Sequence, residues 1–73
     1  MQKYADKDRD SGVEAFAIND TAITIKFKGT SKLYTYSHAR AGKRHVEAMK
    51  QLALNGDGLN AYINRHVKHQ YDR

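Results

Sequence analysis

The sequence predicts an α+β fold: a three-stranded antiparallel meander followed by two helices packed on one face of the sheet (β-β-β-α-α). Three observations predict it. Ile23, Ile25 and Phe27 alternate with Thr24, Lys26 and Lys28 at a period of two. Turn residues, Asn19-Asp20 and Gly29-Thr30, bracket that run. After Ser37 the apolar spacing lengthens to that of a helix.

The elements follow in order. Residues 1–12, MQKYADKDRDSG, combine many charges with no apolar period and read as a mobile N-terminal tail. Asp6, Asp8 and Asp10 have the alternate spacing of a calcium loop. However, Gly12 falls one place late for its turn and Ala17 stands where a bidentate glutamate belongs, so a solvated tail is the simpler reading. Residues 13–73 read as one domain. Its first strand begins at Val13, with Phe16 and Ile18 alternating with alanines, and KLYTYS (32–37) is the third strand. Val46, Met49, Leu52 and Ala53 fall on one helical face, which predicts a helix starting between Arg40 and Lys43 and ending near Asn55 with Gly56 as a left-handed stop. Asp57 can cap a second helix with Leu59, Tyr62, Ile63 and Val67 on its apolar face, and the chain is expected to fray near Tyr71.

Tyr34 and Tyr36 pose the main ambiguity, since paired aromatics in a basic chain can stack on bases or fill a core. Partner numbers keep a constant sum across an antiparallel hairpin. A two- or four-residue loop at Gly29-Thr30 therefore sets Ile25 opposite Tyr34 and Ile23 opposite Tyr36, with both rings facing inward. A three-residue loop slips the register and sends Leu33, Thr35 and Ser37 inward instead. Burying an aromatic removes about 150–250 Å² from water, which a short chain has few other residues to match, so the inward register is favoured. The expected core is then Phe16, Ile18, Ile23, Ile25, Phe27, Tyr34, Tyr36, Val46, Met49, Leu52, Ala53, Leu59, Tyr62 and Ile63.

The order of these features resembles the KTSC domain, a short module named for the C-terminus of some lysyl-tRNA synthetases and also found as a free-standing bacterial protein. The residues carrying the resemblance are Phe27, Gly29, Tyr34-Thr35-Tyr36, Ala53, Gly56-Asp57-Gly58, Asn60 and Ile63, within a similarity covering about residues 13 to 71. The resemblance implies a small accessory domain, for which RNA binding is suggested by context. Family members tend to carry a proline soon after Tyr-x-Tyr, whereas this chain has no proline and reads Ser37-His38-Ala39-Arg40-Ala41-Gly42.

Composition narrows the function classes. The 73 residues contain no cysteine, so neither a disulfide nor a thiolate zinc site is available, and no apolar run is long enough to span a membrane. A cytoplasmic monomer without cofactor is the default expectation. The formal charge of +5 is unevenly placed: residues through Asp20 carry three basic and five acidic side chains, and residues from Thr21 on carry ten basic and three acidic. A cationic body of this kind attracts RNA, another polyanion or an acidic protein partner.

Arg40, Lys43 and Arg44 crowd the expected helix start, where unpaired backbone N–H groups and the helix dipole already favour negative charge. A bound phosphate would reconcile these cations with the dipole, accepting from N–H groups near Gly42 while Arg40 and Arg44 converge on it. A solvated basic turn, with Lys43 balanced by Glu47, accounts for the same residues without a ligand. Lys26 and Lys28 face outward on the second strand and can widen the positive surface.

Arg65, Lys68 and Arg73 suit a helix C-terminus through the dipole alone. His66 and His69 lack a third metal ligand, so no metal site is expected. An enzyme, for instance a ribonuclease acting through His45 beside Lys43 or Arg44, has no supporting nucleophile motif or glycine-rich phosphate loop. The sequence therefore favours a non-catalytic module that binds RNA through phosphates with low sequence specificity. The alternative is a protein-interaction or regulatory module using the outer sheet face of Ala15, Ala17, Ala22, Thr24 and Leu33.

Overall fold

Residues 1–7 and 12–72 are described by the computed structural model of this chain. The alternating stretches form a four-stranded antiparallel sheet in the order β1 (Gln2–Lys3), β2 (Val13–Ile18), β3 (Ala22–Phe27) and β4 (Leu33–Ser37). The α+β class is as expected, with one more strand than the sequence predicts. Ile25 pairs with Tyr34 and Ile23 with Tyr36, the register that turns both rings to the isoleucine face. Tyr36 is 1% exposed, and Tyr34 is half-buried against the core. On the opposite face the Thr24 and Thr35 hydroxyls are hydrogen-bonded at 2.9 Å, a cross-strand polar pair that suits a solvent-side position.

A β-bulge between Val13 and Ala15 alters the parity of β2. It lets Val13 and Phe16, three positions apart, both point into the core, where each is essentially unexposed. The same strand corrects one expected core residue. Ile18 shares the face of its partner Ile23 but is 39% exposed, because it is the last residue of β2 before the hairpin turn, at the end of the sheet.

The N-terminal residues depart furthest from expectation. Instead of a tail, Gln2 and Lys3 pair with Phe16 and Ala15, and Tyr4 inserts its ring edge-on beside Phe16 at 6.5 Å between centroids. Tyr4 is 2% exposed and belongs to the core cluster. Two paired residues are too few to show a period, so burial of one aromatic ring organises this strand rather than any repeating pattern. The calcium-loop spacing falls partly on Asp8 and Asp10, which lie outside the described residues, and Asp6 pairs with Lys28 at 2.7 Å.

The helical layer begins with a single turn, α1 (His38–Ala41), capped by Ser37, whose hydroxyl accepts from the Arg40 N–H at 3.2 Å. The turn makes a proline unnecessary for entry into the helices. Gly42, at φ 97°, reorients the chain into α2 (Lys43–Asn55), which buries Val46, Met49, Lys50 and Ala53 and stops at Gly56 (φ 75°). Then α3 (Leu59–Tyr62) continues into a π-helical turn, Ile63–Val67, which buries Ile63 and Val67. Asp57 does not cap α3. Gly58 occupies that position, and the Leu59 N–H donates to the Tyr4 hydroxyl at 3.2 Å. Phe27, Leu52, Tyr62 and Tyr71 pack around the core's edge. Contacts that hold Tyr71 there include its ring meeting Tyr34 edge-on at 4.9 Å and the neighbouring Asp72 N–H donating to the Thr35 carbonyl on β4.

Candidate nucleic-acid interface

Sheet and helices together sort the basic residues into two groups. Lys26 forms a 2.7 Å ion pair with Glu14 on the neighbouring strand, and Lys28 forms one with Asp6. These lysines therefore do not extend a free positive surface as the sequence suggested, because β2 brings Glu14 to one and the N-terminal segment brings Asp6 to the other. Arg40, Lys43 and Arg44 are exposed, and among the described residues no carboxylate pairs with any of the three.

The fate of Glu47 explains the freedom of Lys43. One helical turn after Lys43, Glu47 instead accepts from Lys50 Nζ at 2.7 Å and from His38 Nε2 at 2.8 Å. Those contacts, the Lys50 hydrogen bond foremost and the His38 hydrogen bond next, hold the Glu47 carboxyl below its ordinary range. An ionised carboxylate only accepts, so the His38 Nε2 carries the proton of this bond. Lys50 is 8% exposed and also donates to the Asp20 carbonyl at 3.2 Å, linking α2 to the β2–β3 turn. The acid that could have balanced the start of α2 is thus committed to tertiary structure.

The backbone at this junction departs from the expected phosphate cradle in one respect. The Gly42 N–H donates to the His38 carbonyl at 3.1 Å, so it closes α1 and is not available to a ligand. The Gly42 carbonyl accepts from Val46, and α2 starts with no side-chain cap and no acid in its first turn. What the junction offers an anion is therefore three exposed cationic side chains on either side of Gly42, together with the positive end of a 13-residue helix.

His45, read in the sequence as a conceivable general base, faces the other way. Its Nδ1 is hydrogen-bonded to the Tyr62 hydroxyl at 2.7 Å, and its ring stacks on His66 at 5.4 Å between centroids. Tyr62 and His66 are in turn 4.5 Å apart. This cluster joins α2 to the last helical segment, and His66 is engaged there rather than with His69. Among the described residues no group of three or more His, Cys, Asp or Glu side chains is arranged to hold a metal ion.

The outer sheet face is only partly open. Ala22 is 5% exposed and Thr24 is bonded to Thr35, whereas Leu33 is 52% exposed and Ala17 is also exposed. No helix among the described residues is long and apolar enough to cross a membrane. The helix that places Lys43 and Arg44 was legible in the sequence, but the separate turn α1 that carries Arg40, and the removal of Lys26, Lys28 and Glu47 from the electrostatic balance, required the fold. No protein-family model, curated protein or solved structure matches this chain.

Proposed function

We propose that this protein is a non-catalytic module that binds RNA through phosphate contacts, with low sequence specificity. One observation carries the reading. The three cations around Gly42 stay exposed and unpaired while Glu47, the acid one helical turn from Lys43, is engaged by Lys50 and His38. Lys43 and Arg44, in the first turn of α2, work against its dipole by about 0.3–1 kcal/mol each when little screened, and an RNA phosphate turns that cost into attraction. The net charge of +5 favours the same class of partner over long range. Phosphate contacts set position without reading bases, which accounts for the low specificity. The resemblance to the KTSC domain agrees with such a role.

Chemical-shift mapping during titration with a short single-stranded RNA tests the site. The expected shifts cluster from Ser37 to Val46. Shifts confined to the outer sheet face around Ala17 and Leu33 would instead favour the protein-interaction reading, for which exposed Leu33 is the supporting observation.

A further inference from the structure

Along the inner face of β4, a cleft of about 360 Å³ opens between the β3–β4 hairpin and the C-terminal residues. Its apolar lining includes the rings of Phe27, Tyr34, Tyr36 and Tyr71, and its polar lining includes Asn64, Lys68 and His69. The volume lies at the small end of the range for ligand pockets, about 300–1,000 Å³.

The rings are pinned before any ligand arrives. Tyr34 receives Phe27 edge-on at 5.5 Å and Tyr71 edge-on at 4.9 Å, and Tyr71 also meets Tyr36 at 6.3 Å. Asp72 fastens this segment to β4 by accepting from the Ser37 hydroxyl at 2.7 Å. Such fixed aromatic surface costs little ordering when a flat ring is laid on it. Charge surrounds it: Lys32 Nζ sits 5.4 Å from the Tyr34 ring centroid, and Lys68 is exposed on the cleft wall. Asn64 is exposed with no partner for its amide among the described residues, so it offers one acceptor and two donors to the edge of a heterocycle.

Fixed aromatic faces, an amide and a cation within one small cleft match the chemistry of a nucleotide: a ring with polar edges, joined to a phosphate. An apolar protein side chain would use the rings and leave the amide and the lysine without purpose. We infer that this cleft takes one unstacked base of a single-stranded RNA, set in the right angle between the Tyr34 and Tyr71 rings so that it lies flat on one and edge-on to the other, with its polar edge on Asn64 and a flanking phosphate on Lys68. The inference rests on the RNA-binding reading above and adds to it a preference for single strands.

The test compares two labelled probes of equal length and phosphate count, an oligouridylate and an abasic ribose-phosphate oligomer, at one salt concentration. The oligouridylate is expected to bind roughly five- to a hundredfold more tightly, the span that one stacked base supplies. In Asn64→Ala, at an exposed position outside the core, that ratio should fall while affinity for the abasic probe stays unchanged. Tyr71→Leu, which keeps an apolar cover and removes the ring, should lower the ratio further, with thermal melting confirming a folded variant. Equal affinity for both probes in the unsubstituted protein would overturn the base site and leave the phosphate reading standing. Binding of neither probe would overturn both, and a preference that survives both substitutions would place base contact elsewhere and overturn the cleft.

Discussion

The Tyr4 hydroxyl accepts a hydrogen bond from the Leu59 N–H at 3.2 Å, joining positions 55 residues apart. The contact gives the start of α3 a partner that Asp57 does not provide, and it makes the first described residues part of the folded core.

Substitution at Tyr4 tests that link. Tyr4→Phe keeps the ring beside Phe16 and leaves a buried helix-start donor unpaired, a loss of about 1–3 kcal/mol. In a domain of this size each kcal/mol lowers the melting midpoint by roughly 4–8 °C. Tyr4→Ala removes the ring as well and should cost about 3–5 kcal/mol, comparable to the whole stability of many small domains. A melting midpoint unchanged in Tyr4→Ala would show that the N-terminal strand is not part of the cooperative fold.

Gly56 meets the same segment at a second point. A Cβ built there would lie 2.5 Å from the Ala5 Cβ, and the backbone is left-handed at φ 75°. Gly56→Ala should therefore lose about 1–2 kcal/mol from the backbone conformation and more from the clash. Ala5→Gly in the same chain should recover the clash portion alone. Additive melting shifts for the two substitutions would contradict the contact.

These two contacts mark the boundary of what was legible. The meander, its register and the extent of α2 follow from alternation, turn residues and a glycine stop, all local signals written over several residues. The N-terminal strand carries no such signal, since two paired residues have no period and Tyr4 resembles any exposed aromatic until Phe16 is beside it. The bulge after Val13 hid that residue's inward direction for the same reason, because one inserted residue breaks the count on which strand parity depends. Among the basic residues, spacing along α2 allows Glu47 to meet either Lys43 or Lys50. The choice is made by His38 and the β2–β3 turn, which are close to α2 only in the folded chain.

The Tyr36 phenol provides a test of the core by pH. Burial, with smaller contributions from Tyr34 and Tyr71, pushes it from 10.0 to about 12. The folded state holds this proton more tightly than the unfolded state does. Its stability contribution is therefore complete below pH 10 and is lost as pH rises from there through about 12. Ultraviolet titration of the folded protein should show a phenol ionising in that upper range and missing from Tyr36→Phe. A native titration identical in the two proteins would contradict the buried position.

Glu47 responds at the other end of the scale. Its lowered carboxyl, held by Lys50 and His38, contributes stability that is present above the ordinary carboxylate range near 4.5 and lost as pH falls through the lowered folded value. Glu47→Gln should therefore be less stable than the parent at neutral pH, with the gap narrowing below about pH 4. A pH-independent gap would assign the loss to packing rather than to charge. The same variant frees no acid for Lys43, so its RNA affinity should not fall.

The most direct test of the central claim is the affinity for a labelled single-stranded RNA measured across a series of salt concentrations. The comparison is between the parent protein and an Arg40→Glu, Lys43→Glu, Arg44→Glu variant shown by melting to be folded. Three phosphate contacts predict that the logarithm of the binding constant falls with the logarithm of salt at a slope of roughly −2. The triple variant should lose binding at every salt concentration. Equal affinity and equal slope in the two proteins would contradict the account.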